Sequence, residues 1–171
     1  MKPNLLLLDA DVIIHLHECD LWKGVVSQYS VYVGAIVIEE VQYFWDNGGN
    51  KICINLRDAV EKNKIIEVAS TAEEMAALSK RLKDVEYSEL DPGELECATI
   101  IAEEKIADLR FCVKDGMAIK ALTYLGFREQ ILSIETMLKQ KGLISKDTEV
   151  PVGFSEERFN RFTLEATLDS I

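Results

Sequence analysis

The chain opens on a short apolar run, Leu5-Leu6-Leu7-Leu8, that stops at an acid, the pattern of a buried parallel strand. From Asp11 to about Glu18 the spacing changes, so that Val12, Leu16 and either His15 or Cys19 would share one helical face. Ser30-Val31-Tyr32-Val33 reads as a second strand, broken by Gly34. Ile36 to Phe44 fits a helix with Val37, Val41 and Phe44 as its apolar positions, stopped by the loop Asp46-Asn47-Gly48-Gly49-Asn50. A short helix from Asn55 to about Lys62 and a third strand, Lys64-Ile65-Ile66-Glu67-Val68, follow.

Thr71-Ala72-Glu73-Glu74 then has the form of a capping box, opening a helix through Met75, Leu78 and Leu82. Beyond an acidic stretch that includes Asp84, Glu86 and Glu89, Asp91-Pro92-Gly93-Glu94 starts another helix, with Asp91 at its cap and Pro92 in its first position. Leu109 to Val113 reads as a strand, Asp115 to Leu125 as a helix, Gln130-Ile131-Leu132 as a short strand, and Ile134 to Gln140 as a helix closed by Gly142. Strands alternating with helices in this way predict an α/β fold, helices on both faces of a mainly parallel sheet. Residues 1–145 form one domain on this reading. Residues 146–171 are an acidic C-terminal extension, with a helix over Glu156 to Asp169 carrying Phe159, Phe162 and Leu164, expected to pack on the domain or on a partner.

Composition narrows the classes. In 171 residues, 48 % are hydrophobic and 29 % charged, which is globular rather than disordered. The net charge of −11 excludes a separate basic nucleic-acid-binding domain. It leaves two meanings for the surplus acids: a solvated surface, or carboxylates gathered at a cation. Cys19, Cys53, Cys97 and Cys112 have no metal-ligand spacing, and Cys53 and Cys112 lie in apolar runs, so buried free thiols are expected. The four leucines before Asp9 are too few for a signal peptide, and no run approaches the length of a membrane span, so a soluble cytoplasmic protein is expected.

In an open α/β sheet, ligands bind where the carboxyl ends of strands meet helix starts. Asp9 and Asp115 each follow a strand, Glu94 lies in the first turn of a helix, and Glu40 sits beside Glu39 on the helix after the second strand. Each acid has a structural explanation: Asp9, Asp11, Asp91 and Asp115 can cap helices, and Glu39 and Glu40 can face water. Together they imply a cost, because two carboxylates about 4 Å apart repel by roughly 4 kcal/mol at an effective dielectric near 20. Such a group takes up protons or requires a cation. Oxygen ligands without Cys or His point to Mg²⁺ or Mn²⁺ and to hydrolysis of a phosphate ester.

These segments resemble a known family. Leu5-Leu6-Leu7-Leu8-Asp9-Ala10-Asp11-Val12-Ile13-Ile14 is similar to the opening strand and first acid of PIN-domain nucleases, and Val37-Ile38-Glu39-Glu40-Val41 to their second segment. Leu90-Asp91-Pro92-Gly93-Glu94-Leu95-Glu96-Cys97-Ala98 resembles the Asp-x-Gly-Glu helix start of a prokaryotic subgroup. Phe111-Cys112-Val113-Lys114-Asp115 resembles the last acid of the family, and the likeness spans about residues 4 to 145. It implies a three-layer α/β/α sandwich with Asp9, Glu40, Glu94 and Asp115 as catalytic metal ligands for Mg²⁺ or Mn²⁺. The implied activity is that of an endoribonuclease cutting RNA phosphodiester bonds. Many small members are dimeric toxins of toxin–antitoxin pairs (VapC-like), so an RNA substrate, a second copy and an antitoxin are the implied partners. Glu39 is an alternate for Glu40, Asp11 an orienter of water, and Asp91 a cap that could also ligate. Lys114 departs from the small or acidic residue usual before the last acid.

The one basic cluster, Lys80-Arg81-Leu82-Lys83, precedes a run of acids, so weak intrinsic RNA binding is expected unless a dimer groove gathers Lys114, Lys120 and Arg128. Two other readings stay open. Asp9-Ala10-Asp11 also resembles the Asp-x-Asp motif of haloacid-dehalogenase-type phosphatases, which would make Asp9 a nucleophile and Asp11 an acid/base. A catalytically weak PIN-like module that works by binding a protein is the third. His15 and His17 flank Leu16 on different faces and read as polar packing, and Trp22 and Tyr43-Phe44-Trp45 as aromatics at helix ends that cover the core or meet a second copy.

Overall fold

The computed structural model describes residues 4–85 and 89–169. Met1 to Pro3, Glu86 of the acidic stretch and the last two residues lie outside them. In chain order the elements are β1 (Leu5–Leu8), α1 (Ala10–Glu18), α2 (Trp22–Gln28), β2 (Ser30–Gly34), α3 (Ala35–Glu40), β3 (Tyr43–Trp45) and β4 (Lys51–Cys53). There follow α4 (Leu56–Glu61), β5 (Ile66–Val68), α5 (Ala72–Leu82), α6 (Pro92–Ala102), β6 (Arg110–Cys112), α7 (Gly116–Tyr124), β7 (Ile131–Leu132), α8 (Ile134–Gln140) and α9 (Glu156–Asp169).

Five strands form one sheet in the order β5-β2-β1-β6-β7, and each pairing within it is parallel. Leu6, Leu7 and Leu8 are all buried although alternate side chains leave opposite faces of a strand. The sheet is therefore covered on both sides by helices, the α/β/α sandwich expected from the alternation of elements. In β1, Leu8 pairs with Val33 of β2 on one side and Cys112 of β6 on the other. The residues that follow these three strands, Asp9, Ala35 and Val113, thus emerge at the same edge of the sheet.

The helix expected over Ile36 to Phe44 ends at Glu40. Tyr43–Trp45 pairs antiparallel with Lys51–Cys53, so the glycine-rich segment between them closes a hairpin rather than stopping a helix. Asp46 shapes that turn, its Oδ1 accepting the N–H groups of Gly48 (2.9 Å) and Asn50 (2.8 Å). Cys53 is exposed on the hairpin and Cys19 is exposed too, so of the four thiols Cys97 and Cys112 are buried. Tyr43 and Trp45 stand out from the core and lie on a strand, not at a helix end. The unforeseen α2 carries its buried position at Val25.

His15 and His17 do lie on different faces: His15 stacks on Phe154 and His17 on Trp22, with centroids 3.9 and 4.9 Å apart. The extension returns to the domain through α9, which buries Phe159, Thr163 and Ala166 while Leu164 faces out. It packs along α7, where the Phe162 ring lies so close to Gly116 that an added Cβ would stand 2.6 Å from Cζ. Among the described residues no helix is long and apolar enough to cross a membrane.

Candidate functional site

Helix capping places the acids. Asp9 caps α1, its Oδ1 accepting Ala10 N–H at 2.9 Å. Asp115 caps α7, its Oδ1 accepting Met117 N–H (2.7 Å) and Ala118 N–H (3.0 Å). Asp91 and Glu94 form the capping box of α6: Asp91 Oδ1 accepts Glu94 N–H at 2.8 Å and Glu94 Oε2 accepts Asp91 N–H at 3.1 Å. The structural and the chemical explanations of these residues are therefore compatible, since each cap engages one carboxyl oxygen and leaves the other out of the cap.

Three helix starts bring these carboxyls together. Asp9 is buried, and desolvation pushes its carboxyl up to about 7, helped by the charges of Asp11, Asp91 and Asp115 and opposed by the Ala10 hydrogen bond. Glu94 is half-buried and rises to about 8, through desolvation first and then Asp115, Asp91 and Asp9. No base offsets either rise. Asp9 and Glu94, far apart in sequence, thus feel one another and the same two neighbours, Asp91 and Asp115.

Glu40 belongs to its rim. Its carboxylate lies against Gly93 in the first turn of α6, where a Cβ would stand 2.5 Å from Oε2. Burial raises its proton affinity, with the charges of Asp91 and Glu96 adding to that. The neighbouring Glu39 turns away to Arg57, which also holds Glu67 at 2.7 Å. Of the two glutamates, Glu40 is the one that lies beside α6. Asp11 is exposed and paired with Lys114, Nζ to Oδ2 2.7 Å. Lys114 is not among the charges that shift Asp9 or Glu94.

One acid escapes a sequence reading. Glu96 is buried, accepts Ile36 N–H at 2.8 Å and reaches Ser70 N–H at 3.5 Å. It supplies the acceptor that Gly34, at the cap of α3, lacks. A glutamate among Leu95, Cys97 and Ala98 on an otherwise apolar helix was the one signal available for it.

Would this donor set suit a metal ion? In kind it does, with oxygen donors only and negative charge in excess, the preference of Mg²⁺ and Mn²⁺. In arrangement the side chains are drawn onto their caps. Among the described residues no three His, Cys, Asp or Glu side chains close round a common centre.

No family model, curated protein or solved structure matches the chain. The functional reading therefore stands on its own side chains.

Each of the basic residues expected to line a dimer groove has a partner within the chain. Lys120 pairs with Glu165 of α9 at 2.7 Å, Arg128 lies over the Phe159 ring, and Lys114 holds Asp11. Arg158 of α9 donates to the Lys114 carbonyl at 2.7 Å, tying the extension to the turn just before Asp115.

Proposed function

We propose that the protein is a metal-dependent endoribonuclease of the PIN type, with Asp9, Glu94 and Asp115 as its metal ligands and Glu40 at the rim. The observation that carries this reading is the joint rise in proton affinity of Asp9 and Glu94, held at one sheet edge by separate helix starts with no base between them. A group so poised binds protons or a hard divalent cation. Mg²⁺ or Mn²⁺ bound there would supply an activated water and offset the charge developed on a phosphodiester. The chain's own part is to hold the carboxyls: the caps of α1, α6 and α7 fix where each emerges, and Asp11, held by Lys114, stands beside Asp9 to orient water.

The sequence resemblance supports a cytoplasmic toxin of a toxin–antitoxin pair, acting as a homodimer. The acidic surface suits a basic antitoxin segment, and the scarcity of free cations near the cluster agrees with weak RNA binding by one chain.

The test is cleavage of end-labelled single-stranded RNA with Mn²⁺. The wild type is expected to cut, and Asp9→Asn, which keeps a cap acceptor, to lose roughly a hundredfold or more in rate. Unchanged cleavage in that variant overturns the assignment. Turnover of p-nitrophenyl phosphate through Asp9 would favour the phosphatase reading instead. In that reading Asp11, which pairs with Lys114, serves as acid/base.

A further inference from the structure

Two side chains of the extension bracket Asp115. Arg158 and Phe162 stand one turn apart on α9 and so share a face, and they meet the chain on either side of that acid. The Arg158 guanidinium donates through Nη1 to the Lys114 carbonyl at 2.7 Å, one residue before Asp115. The Phe162 ring covers Gly116, one residue after it. The two also meet each other, the guanidinium lying 4.6 Å from the centre of the Phe162 ring. Arg158 is half-buried and makes no ion pair among the described residues, those of α9 falling to Arg161 and Glu165. The same Nη1 also donates to the Gly153 carbonyl at 3.2 Å, within the extension itself. The start of α9 is anchored in turn, for Glu156 N–H donates to Glu135 Oε2 of α8 at 2.7 Å and Arg158 N–H to Ser155 Oγ at 3.2 Å.

We propose that Arg158 is a positioning residue for the Asp115 carboxylate. The peptide unit between Lys114 and Asp115 is planar, so holding the Lys114 oxygen fixes the plane from which the chain turns into α7. Asp115 leaves that plane at φ −65° and ψ 131°, with its Oδ1 on Met117 N–H and Ala118 N–H. Val113 N–H still donates to Leu132 O at 3.2 Å as the sheet runs out, and Arg158 takes over one residue later. Charge is not what Arg158 brings to the acids, since it is not among the groups that shift Asp9 or Glu94. Its contribution is geometric: a forked donor reaches two carbonyls at once and lies flat on a ring. The placement of Asp115 matters to the cluster, because among the acids it is the one that raises Glu94 most. The purpose of this hold rests on the nuclease reading, in which Asp115 is a cation ligand. The likeness to PIN domains ends near residue 145, so the support comes from the part of the chain outside it.

The test is amide hydrogen exchange of the full chain in EDTA, followed by calorimetric titration with Mn²⁺. Arg158→Met removes the donor and keeps an unbranched side chain beside Phe162. In that variant the Met117 and Ala118 amides, which Asp115 caps, should exchange about tenfold faster, a larger change than at Leu7 and Leu8 of β1. Arg158→Lys, which keeps a donor, should recover part of that protection. Mn²⁺ should bind Arg158→Met about tenfold more weakly than the wild type. Unchanged exchange at Met117 and Ala118 overturns the proposal. So does a quickening no greater there than in β1, which a general loss of stability would give. Unmoved Mn²⁺ affinity in a variant that has lost the local protection also overturns it, since Asp115 would then hold an ion without Arg158. The two readings fail separately. A wild type that binds no Mn²⁺ removes the nuclease, while the exchange result still decides whether Arg158 holds Asp115.

Discussion

The Glu96 carboxylate accepts the backbone N–H of Ile36 at 2.8 Å and so caps a helix sixty residues away in sequence. This bond ties α3, which bears Glu40, to α6, which bears Glu94. Removing it with Glu96→Ala leaves an N–H of the first turn of α3 without its acceptor, and a loss of about 1–3 kcal/mol is expected in urea unfolding. Glu96→Gln keeps an acceptor and should cost less. Equal losses in the two variants would show that the carboxylate fills space and does not act as a cap.

Burial of the cluster, with repulsion among its acids adding to it, gives the ion-free protein an unusual pH dependence. Asp9 and Glu94 hold protons in the folded state up to about pH 7 and 8, whereas in the unfolded chain they lose them near pH 4. Across that window the folded state binds more protons, so stability falls as pH rises, by up to about 1.4 kcal/mol per pH unit for the buried Asp9 and by less for the half-buried Glu94, whose charge solvent screens. The benefit is complete below pH 4 and gone above pH 8. Thermal unfolding in EDTA from pH 4 to 8 should show the decline, and Asp9→Asn with Glu94→Gln should flatten it. A double variant with the wild-type slope would place the titration elsewhere.

Phe162 and Gly116 form a coupled pair between α9 and α7. A methyl at Gly116 would meet the ring at 2.6 Å, so Gly116→Ala should destabilise despite the better helix propensity of alanine. In a Phe162→Ala background the same change should be neutral or favourable. The coupling expected from a double-mutant cycle is about 1–3 kcal/mol. Additive effects would mean that α9 does not rest on Gly116 in solution.

What could be read from sequence was what is local. The capping boxes Thr71/Glu74 and Asp91/Glu94 close within four residues and stand as expected. The buried run Leu5–Leu8 and the alternation of strands and helices define the layers. The hairpin was hidden because Val37, Val41 and Phe44 fall at helical spacing, although Val41 closes α3 as its C-cap residue and Phe44 belongs to a strand. Cys53 misleads for a related reason. Its neighbour Ile54 is buried while Ile52, out on the hairpin, is 39 % exposed, so an apolar run does not mean a buried one. The mutual charge effects among Asp9, Glu94 and Asp115 agree with their places at strand and helix ends. The engagement of Lys114 by Asp11 and of Ile36 by Glu96 depends on contacts across the fold, which no local pattern carries.

Calorimetric titration of the metal-free chain with Mn²⁺ at pH 7 tests the proposed cation site most directly. Saturable binding in the wild type, lost or much weakened in Asp9→Asn and in Glu94→Gln but retained in Glu39→Gln, is the expected result. No binding by the wild type, or the same affinity in Asp9→Asn and Glu94→Gln, would contradict it.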